Sequence, residues 1–243
     1  MTVLLSLEEV TVQPVRRDAP LLRRASLQVD VGERVAVLGA MERSGSSALL
    51  RVLAGALPPD GGRVLLAGTD LYAAGDRDRS ALLRDMIGLA DPLSLALSPC
   101  GRVLEALALG LLPTAVSMRD AEARARHVLA EVGALACAER HPGELTRREQ
   151  VRVAIARALV RDPKVLLVDE PAALPDPDEV SDIFGLLRSL ARGRNLALVV
   201  ATQDAMALTG GGWDQVVHAS FGELTSSQRD AELLPFRPRS RSA

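Results

Sequence analysis

Apolar residues alternate with polar ones early in the chain, at Leu5, Leu7, Val10 and Val12, and again at Leu27, Val29 and Val31. That period of two predicts strands, with residues 13–20 as the turn or loop between them. The next run, RVAVL at 34–38, is apolar from Val35 to Leu38 and predicts a buried strand. A glycine- and serine-rich loop follows at 39–47, then an apolar helix that stops at Gly55. Residues 58–62 read as a turn and 62–68 as a short strand. From 76 to 161 the pattern is mostly helical. One helix at 118–133 places apolar or small residues at 121, 125, 128, 129 and 132, and another covers 151–160. KVLLVDE at 164–170 and NLALVVATQ at 195–203 predict buried strands on either side of an amphipathic helix at 178–192. Two short strands are predicted at 215–219 and 222–225. No internal repeat stands out.

Strands alternating with helices predict an α/β protein with a parallel sheet. The early alternating strands add an antiparallel piece, and residues 91–161 a helical insertion. One domain is expected over 1–225, followed by an Arg/Ser/Pro-rich tail at 226–243 that is expected to be flexible.

Composition narrows the function. Apolar residues make up 48% of the 243, enough for a sizeable core. A net charge of −2 and 2% aromatics give no reason to expect a nucleic-acid partner. Cys100 and Cys137 lack metal spacing and suggest a reducing compartment. The start of the chain has no basic segment and so does not read as a signal peptide. The longest apolar run, 103–113, is interrupted by Glu105 and is about half the ~20 residues a bilayer span requires. Of the 29 basic residues, Lys164 is the one lysine and the other 28 are arginines. A phosphate-binding loop that ends in lysine therefore has no lysine to use at residues 39–47.

The chemistry gathers at PKVLLVDEP, 163–171, where a strand ends in Asp169 and Glu170. In parallel sheets ligands sit at the carboxyl ends of strands. One acid there can hold magnesium, and its neighbour can polarise a water. On these residues alone, a strand ending in a solvated acidic turn is an equal reading. The preceding stretch, VRVAIARALVRDP at 151–163, removes that balance. Together the two resemble the ATP-binding cassette (ABC) transporter family, and VGERVAVLG (31–39), LLRVLAG (49–55) and GRVLLAGTDL (62–71) extend the resemblance over 5–224.

The resemblance implies a P-loop NTPase (RecA-like) core with an N-terminal antiparallel β subdomain and a helical signature subdomain. It implies ATP and magnesium as cofactors, a second nucleotide-binding subunit as a dimer partner, and separate transmembrane permease subunits. It places the chain in the cytoplasm, peripheral on the inner face of the membrane. By position, Gly39, Arg43, Gly45, Ser46 and Ser47 form the phosphate loop. Ser47 and Asp169 face the metal, Glu170 is the general base, Gln203 stands at the switch histidine, Thr146 is in the signature and Asp176 is in the D-loop.

The departures are concentrated in that same set. Ser46 stands where the family has lysine, and the loop is one residue longer than usual, with Glu42 and Arg43 inside it. Leu-Thr-Arg-Arg-Glu at 145–149 replaces Leu-Ser-Gly-Gly-Gln, the glutamine before Asp91-Pro92 is missing, and Pro175 sits in the D-loop. Near Pro14, where the family has an aromatic that stacks on adenine, there is none. Thr146 with Glu149 three residues on also reads as a helix capping box. The expected function is an ATP-binding subunit that is degenerate, acting as a structural or regulatory partner of an intact one. Alternatives are an active ATPase subunit energising transport and a soluble interaction module outside transport. A weaker likeness, through residues 91–99 and the approach to 140–145, is to peptide or nickel importer subunits. Trp213 and the scattered His127, His141 and His218 are expected to pack or face solvent.

Overall fold

The computed structural model describes residues 2–14, 20–39, 44–92, 101–112, 116–174 and 176–227. Arg43, Glu42, Cys100, Pro175 and all but the first two residues of the tail at 226–243 lie outside the described residues.

Two sheets organise the chain. The first is antiparallel, in the order β2-β1-β4-β5, from β1 (Val3–Val12), β2 (Leu22–Asp30), β4 (Gly61–Leu66) and β5 (Thr69–Asp70). It is the piece predicted by the early alternation. Leu5, Leu7, Val10 and Val12 are all buried.

The second sheet has six strands in the order β10-β9-β3-β8-β7-β6. Its strands are β3 (Arg34–Gly39), β6 (Ile87–Ala90), β7 (Val165–Asp169), β8 (Ala197–Thr202), β9 (Gln215–Ser220) and β10 (Glu223–Ser227). All neighbours pair in parallel except β9 with β10. Residues 76–161 are mostly helical as expected, with β6 a strand inside that stretch that the pattern did not predict. Four residues are too short a run for periodicity to separate strand from helix.

Among the described residues the α-helices with both ends defined are α1 (Ser46–Leu53), α2 (Asp76–Met86), α3 (Val103–Leu109), α4 (Met118–Glu131), α5 (Arg147–Leu159) and α6 (Pro177–Arg194). Their ends follow local chemistry. The Ser117 hydroxyl accepts from Asp120 N–H at 3.2 Å to cap α4. Pro177 opens α6, and Asn195, at φ 52°, closes it.

Side-chain parity divides the core. Val165 and Leu167 on β7, with Val35 and Val37 on β3, face α1 and the antiparallel sheet. Leu166 and Val168 face α3 to α6. Successive strand residues point to opposite faces, so the strand presents odd-numbered Asp169 to the α1 side. Leu49, Leu50 and Leu53 of α1 are fully buried on that side. Each contributes about 1.5–3 kcal/mol through removal from water.

Candidate functional site

The carboxyl ends of β3, β8 and β7 lie side by side, so Gly39, Thr202 and Asp169 arrive at one edge of the sheet. Helix α1 begins at that edge with Gly45 as its N-cap, at φ 84°. A Cβ on Gly45 would sit 2.2 Å from the Leu21 carbonyl oxygen, so the position requires glycine.

Ser47, in the first turn of α1, donates its hydroxyl to Asp169 Oδ1 at 3.0 Å. Burial raises the Asp169 carboxyl above its ordinary range. The Ser47 hydrogen bond opposes this, and the negative charge of Asp91 adds to it. Glu170 follows in the left-handed region, at φ 46°. Its N–H donates to the Ala201 carbonyl at 2.9 Å, and its Oε2 accepts the Gln203 N–H at 3.2 Å. Burial is again the largest cause of a raised pKa, opposed by the Gln203 N–H. The second oxygen, Oε1, is buried and has no hydrogen-bond partner among the described residues.

Ser46 is 3% exposed. Its hydroxyl lies 2.9 Å from the Ser44 hydroxyl, and its N–H donates to the same Ser44 oxygen at 3.3 Å. Both hydroxyls press on Gly39, whose added Cβ would meet Ser44 Oγ at 2.6 Å and Ser46 Oγ at 3.0 Å. The serine pair therefore folds back onto the end of β3. Ser44 was not singled out from sequence, although its place two residues before Ser46 is the available signal.

The structure joins Gly39, Ser46, Ser47, Asp169, Glu170 and Gln203 at one edge. Thr146 and Asp176 make their hydrogen bonds within their own helix caps. The Thr146 hydroxyl accepts from Glu149 N–H at 3.3 Å, while Glu149 Oε2 accepts the Thr146 N–H at 2.8 Å, which is the capping box. That backbone bond is the main reason the Glu149 carboxyl is held below the usual range. The Asp176 carboxylate accepts from Asp178 N–H at 2.9 Å to cap α6.

Both arginines of the altered signature engage their own chain. Arg148 reaches Asp182 at 2.8 Å and Glu179 at 3.5 Å on α6, and Arg147 donates to the Ala173 carbonyl at 3.4 Å. Separations of 26 to 34 residues hid these partners from local pattern reading. Trp213 packs edge-on to Phe184, ring centroids 6.1 Å apart, as expected of a packing residue. No group of three or more metal-ligand side chains exists among the described residues.

The donor chemistry fits a magnesium nucleotide at the metal end, where the Ser47 hydroxyl and a carboxylate oxygen of Asp169 already converge. At the lysine position, Ser46 supplies a hydroxyl instead of a cation.

Comparison with known proteins agrees with this geometry. The ABC transporter family model matches residues 22–173, and the chain belongs to that family, as an ATP-binding subunit. Similar proteins include the lipoprotein-releasing system ATP-binding protein LolD of Cereibacter sphaeroides, 39% identical over 187 residues (77% of this chain, 83% of the relative). LolD of Syntrophotalea carbinolica is 35% identical over 209 residues, 86% of this chain and 90% of the relative. Among solved structures, the dimeric bacterial ABC transporter cassette MJ0796 superposes with a TM-score of 0.83 at 26% identity, over 92% of this chain and 98% of that one. The same cassette in a dimeric post-hydrolysis state, bound to ADP and Pi, matches equally well. The P-loop NTPase core with its antiparallel sheet and helices is thus the observed architecture. Neither relative is named as a peptide or nickel importer. No helix among the described residues is long and apolar enough to cross a membrane.

Proposed function

We propose that this chain is the nucleotide-binding subunit of a transporter of the lipoprotein-releasing kind, and that it serves an intact nucleotide-binding subunit as a structural or regulatory partner. The name carried by its relatives supports the transporter class. The observation that carries the degenerate reading is Ser46, buried at the lysine position with its hydroxyl on Ser44. Phosphoryl transfer depends on positioned charge far more than on a general base. Glu170 without that cation has little to act on.

Ser47 and Asp169 would hold the metal of a bound magnesium nucleotide, and the ion would supply an electrophile at the phosphate oxygens. Glu170 keeps one oxygen without a hydrogen-bond partner among the described residues on the same edge. Gln203 holds the other through its backbone and carries no charge of its own. The chain holds nucleotide weakly and hydrolyses it slowly or not at all. Its partners are a second, intact cassette and transmembrane permease subunits, on the cytoplasmic face of the membrane. The helical insertion over 91–161 belongs to this same domain, which runs past the expected boundary at 225 to the end of β10 at Ser227.

A second reading, an active ATPase, draws on the surviving Ser47–Asp169 contact and the oriented Glu170. Turnover measured on the chain alone and on the chain with an intact cassette separates the two. Rapid turnover by the isolated chain that disappears in Glu170→Gln would sink the degenerate reading.

A further inference from the structure

We propose that Phe221 is the aromatic platform for the base of a bound purine nucleotide, in place of the ring the family has near Pro14. The proposal rests on the nucleotide-holding part of the function above and names the group at its base end.

Phe221 and Gly222 form the two-residue turn between β9 and β10, since Ser220 pairs with Glu223. Both turn residues have positive φ, 50° and 82°. Such hairpin turns favour Asn-Gly or Asp-Gly, and a bulky aromatic residue at the first position is strained. The strain is not repaid by burial, because Phe221 is 68% exposed.

The turn is placed at the nucleotide edge by three contacts. Ala219 lies beside Gly39, so β9 ends where β3 enters the phosphate loop. The Gly222 carbonyl accepts the Arg23 N–H at 2.8 Å, which ties the turn to the start of β2. Gly222 Cα lies 3.4 Å from the place a Cβ on Gly45 would occupy, so the turn rests on the N-cap of α1. The turn that carries Phe221 therefore lies against the α1 start and the start of β2.

The other described aromatic residues are committed elsewhere. Phe184 and Trp213 pack on each other, and the Tyr72 hydroxyl donates to the Val52 and Leu57 carbonyls. Among the described residues, Phe221 is the aromatic side chain left exposed. The adjacent Glu223 carboxylate, 3.9 Å from Arg23, suits a neutral base better than a phosphate. Stacking on an aromatic ring is available to any base, because every base has a π-face.

The test uses the full chain and equilibrium binding, with magnesium, of two probes: ATP and base-free inorganic tripolyphosphate. Phe221→Ala is expected to weaken ATP by roughly tenfold or more while leaving tripolyphosphate unchanged. Phe221→Trp is expected to keep ATP affinity and to show fluorescence quenched by ATP. Phe221→Asn should bind ATP as poorly as Phe221→Ala yet melt at a higher temperature than the wild type, because the turn strain is gone. Equal ATP affinity in Phe221→Ala and wild type would overturn the stacking role and leave the nucleotide reading standing. Failure of the wild type to bind either probe would overturn both. Equal losses of ATP and tripolyphosphate in Phe221→Ala would make Phe221 a structural residue and overturn the base assignment.

Discussion

The hydroxyl of Ser47 donates to a carboxylate oxygen of Asp169 at 3.0 Å across 122 positions of chain. One residue lies in the first turn of α1 and the other closes β7, so the contact joins the two halves of the nucleotide edge. It persists although the residue beside Ser47 has lost the family's charge. Metal-end geometry and triphosphate charge are therefore separable in this fold.

Two half-buried acids at the nucleotide edge contribute to the pH dependence of the free chain. Asp169 and Glu170 both have raised pKa values, chiefly from burial. The folded state then binds their protons more tightly than the unfolded state does. Their cost to stability is absent below the ordinary carboxylate range, grows as pH rises from about 4, and is complete above the raised values. Glu170→Gln should raise the melting temperature at pH 7 by about 1–4 °C, and the gain should vanish near pH 4. Thermal melts of both proteins across this range check it. A variant that melts lower at pH 7 would contradict the sign.

The capping box predicts a second effect. Thr146→Ala removes the hydroxyl that accepts Glu149 N–H and should cost about 1 kcal/mol. At this size the melting temperature should fall by about 2–4 °C. A fall within error would show that the cap is satisfied by solvent.

Ion pairs differ by burial. Arg194 bonds Glu131 and Asp162 with its side chain 17% exposed, whereas Arg148 pairs with Asp182 at 38% and 59% exposure. Arg148→Ala should cost no more than about 1 kcal/mol. Arg194→Ala should cost about 1.5–3 kcal/mol, because charged hydrogen bonds are lost in a drier setting. Urea unfolding of the two variants side by side tests the order.

Restoring the missing cation should fail. Ser46 is enclosed by Ser44 and Gly39, so Ser46→Lys must displace the serine pair. A loss of about 1–3 kcal/mol is expected from overpacking, with no rise in ATP turnover. Turnover approaching that of an intact cassette would refute this.

Much of this was legible in the chain itself. The apolar run at 34–38 and the run ending in Asp169 and Glu170 are strands because their residues alternate between two buried faces. The Thr146 cap was readable because its partner lies three residues away. What could not be read was long-range or short. β6 is four residues of edge strand inside a helical stretch, and nothing local separates it from a helix end. The partners of Arg148 lie on another helix, and the serine pair on Gly39 exists only once the loop closes. Phe221 was ordinary in sequence, and only its positive φ and exposure make it conspicuous.

The six-stranded sheet also acts as a partition. Leu167 packs with α1 and Leu166 with the helices on the opposite side, although they are neighbours in sequence. Changes behind the sheet can then accumulate without reaching the wall that aligns Ser47 with Asp169. The loss of charge at Ser46 on the α1 side is likewise insulated from the helices packed on the other face.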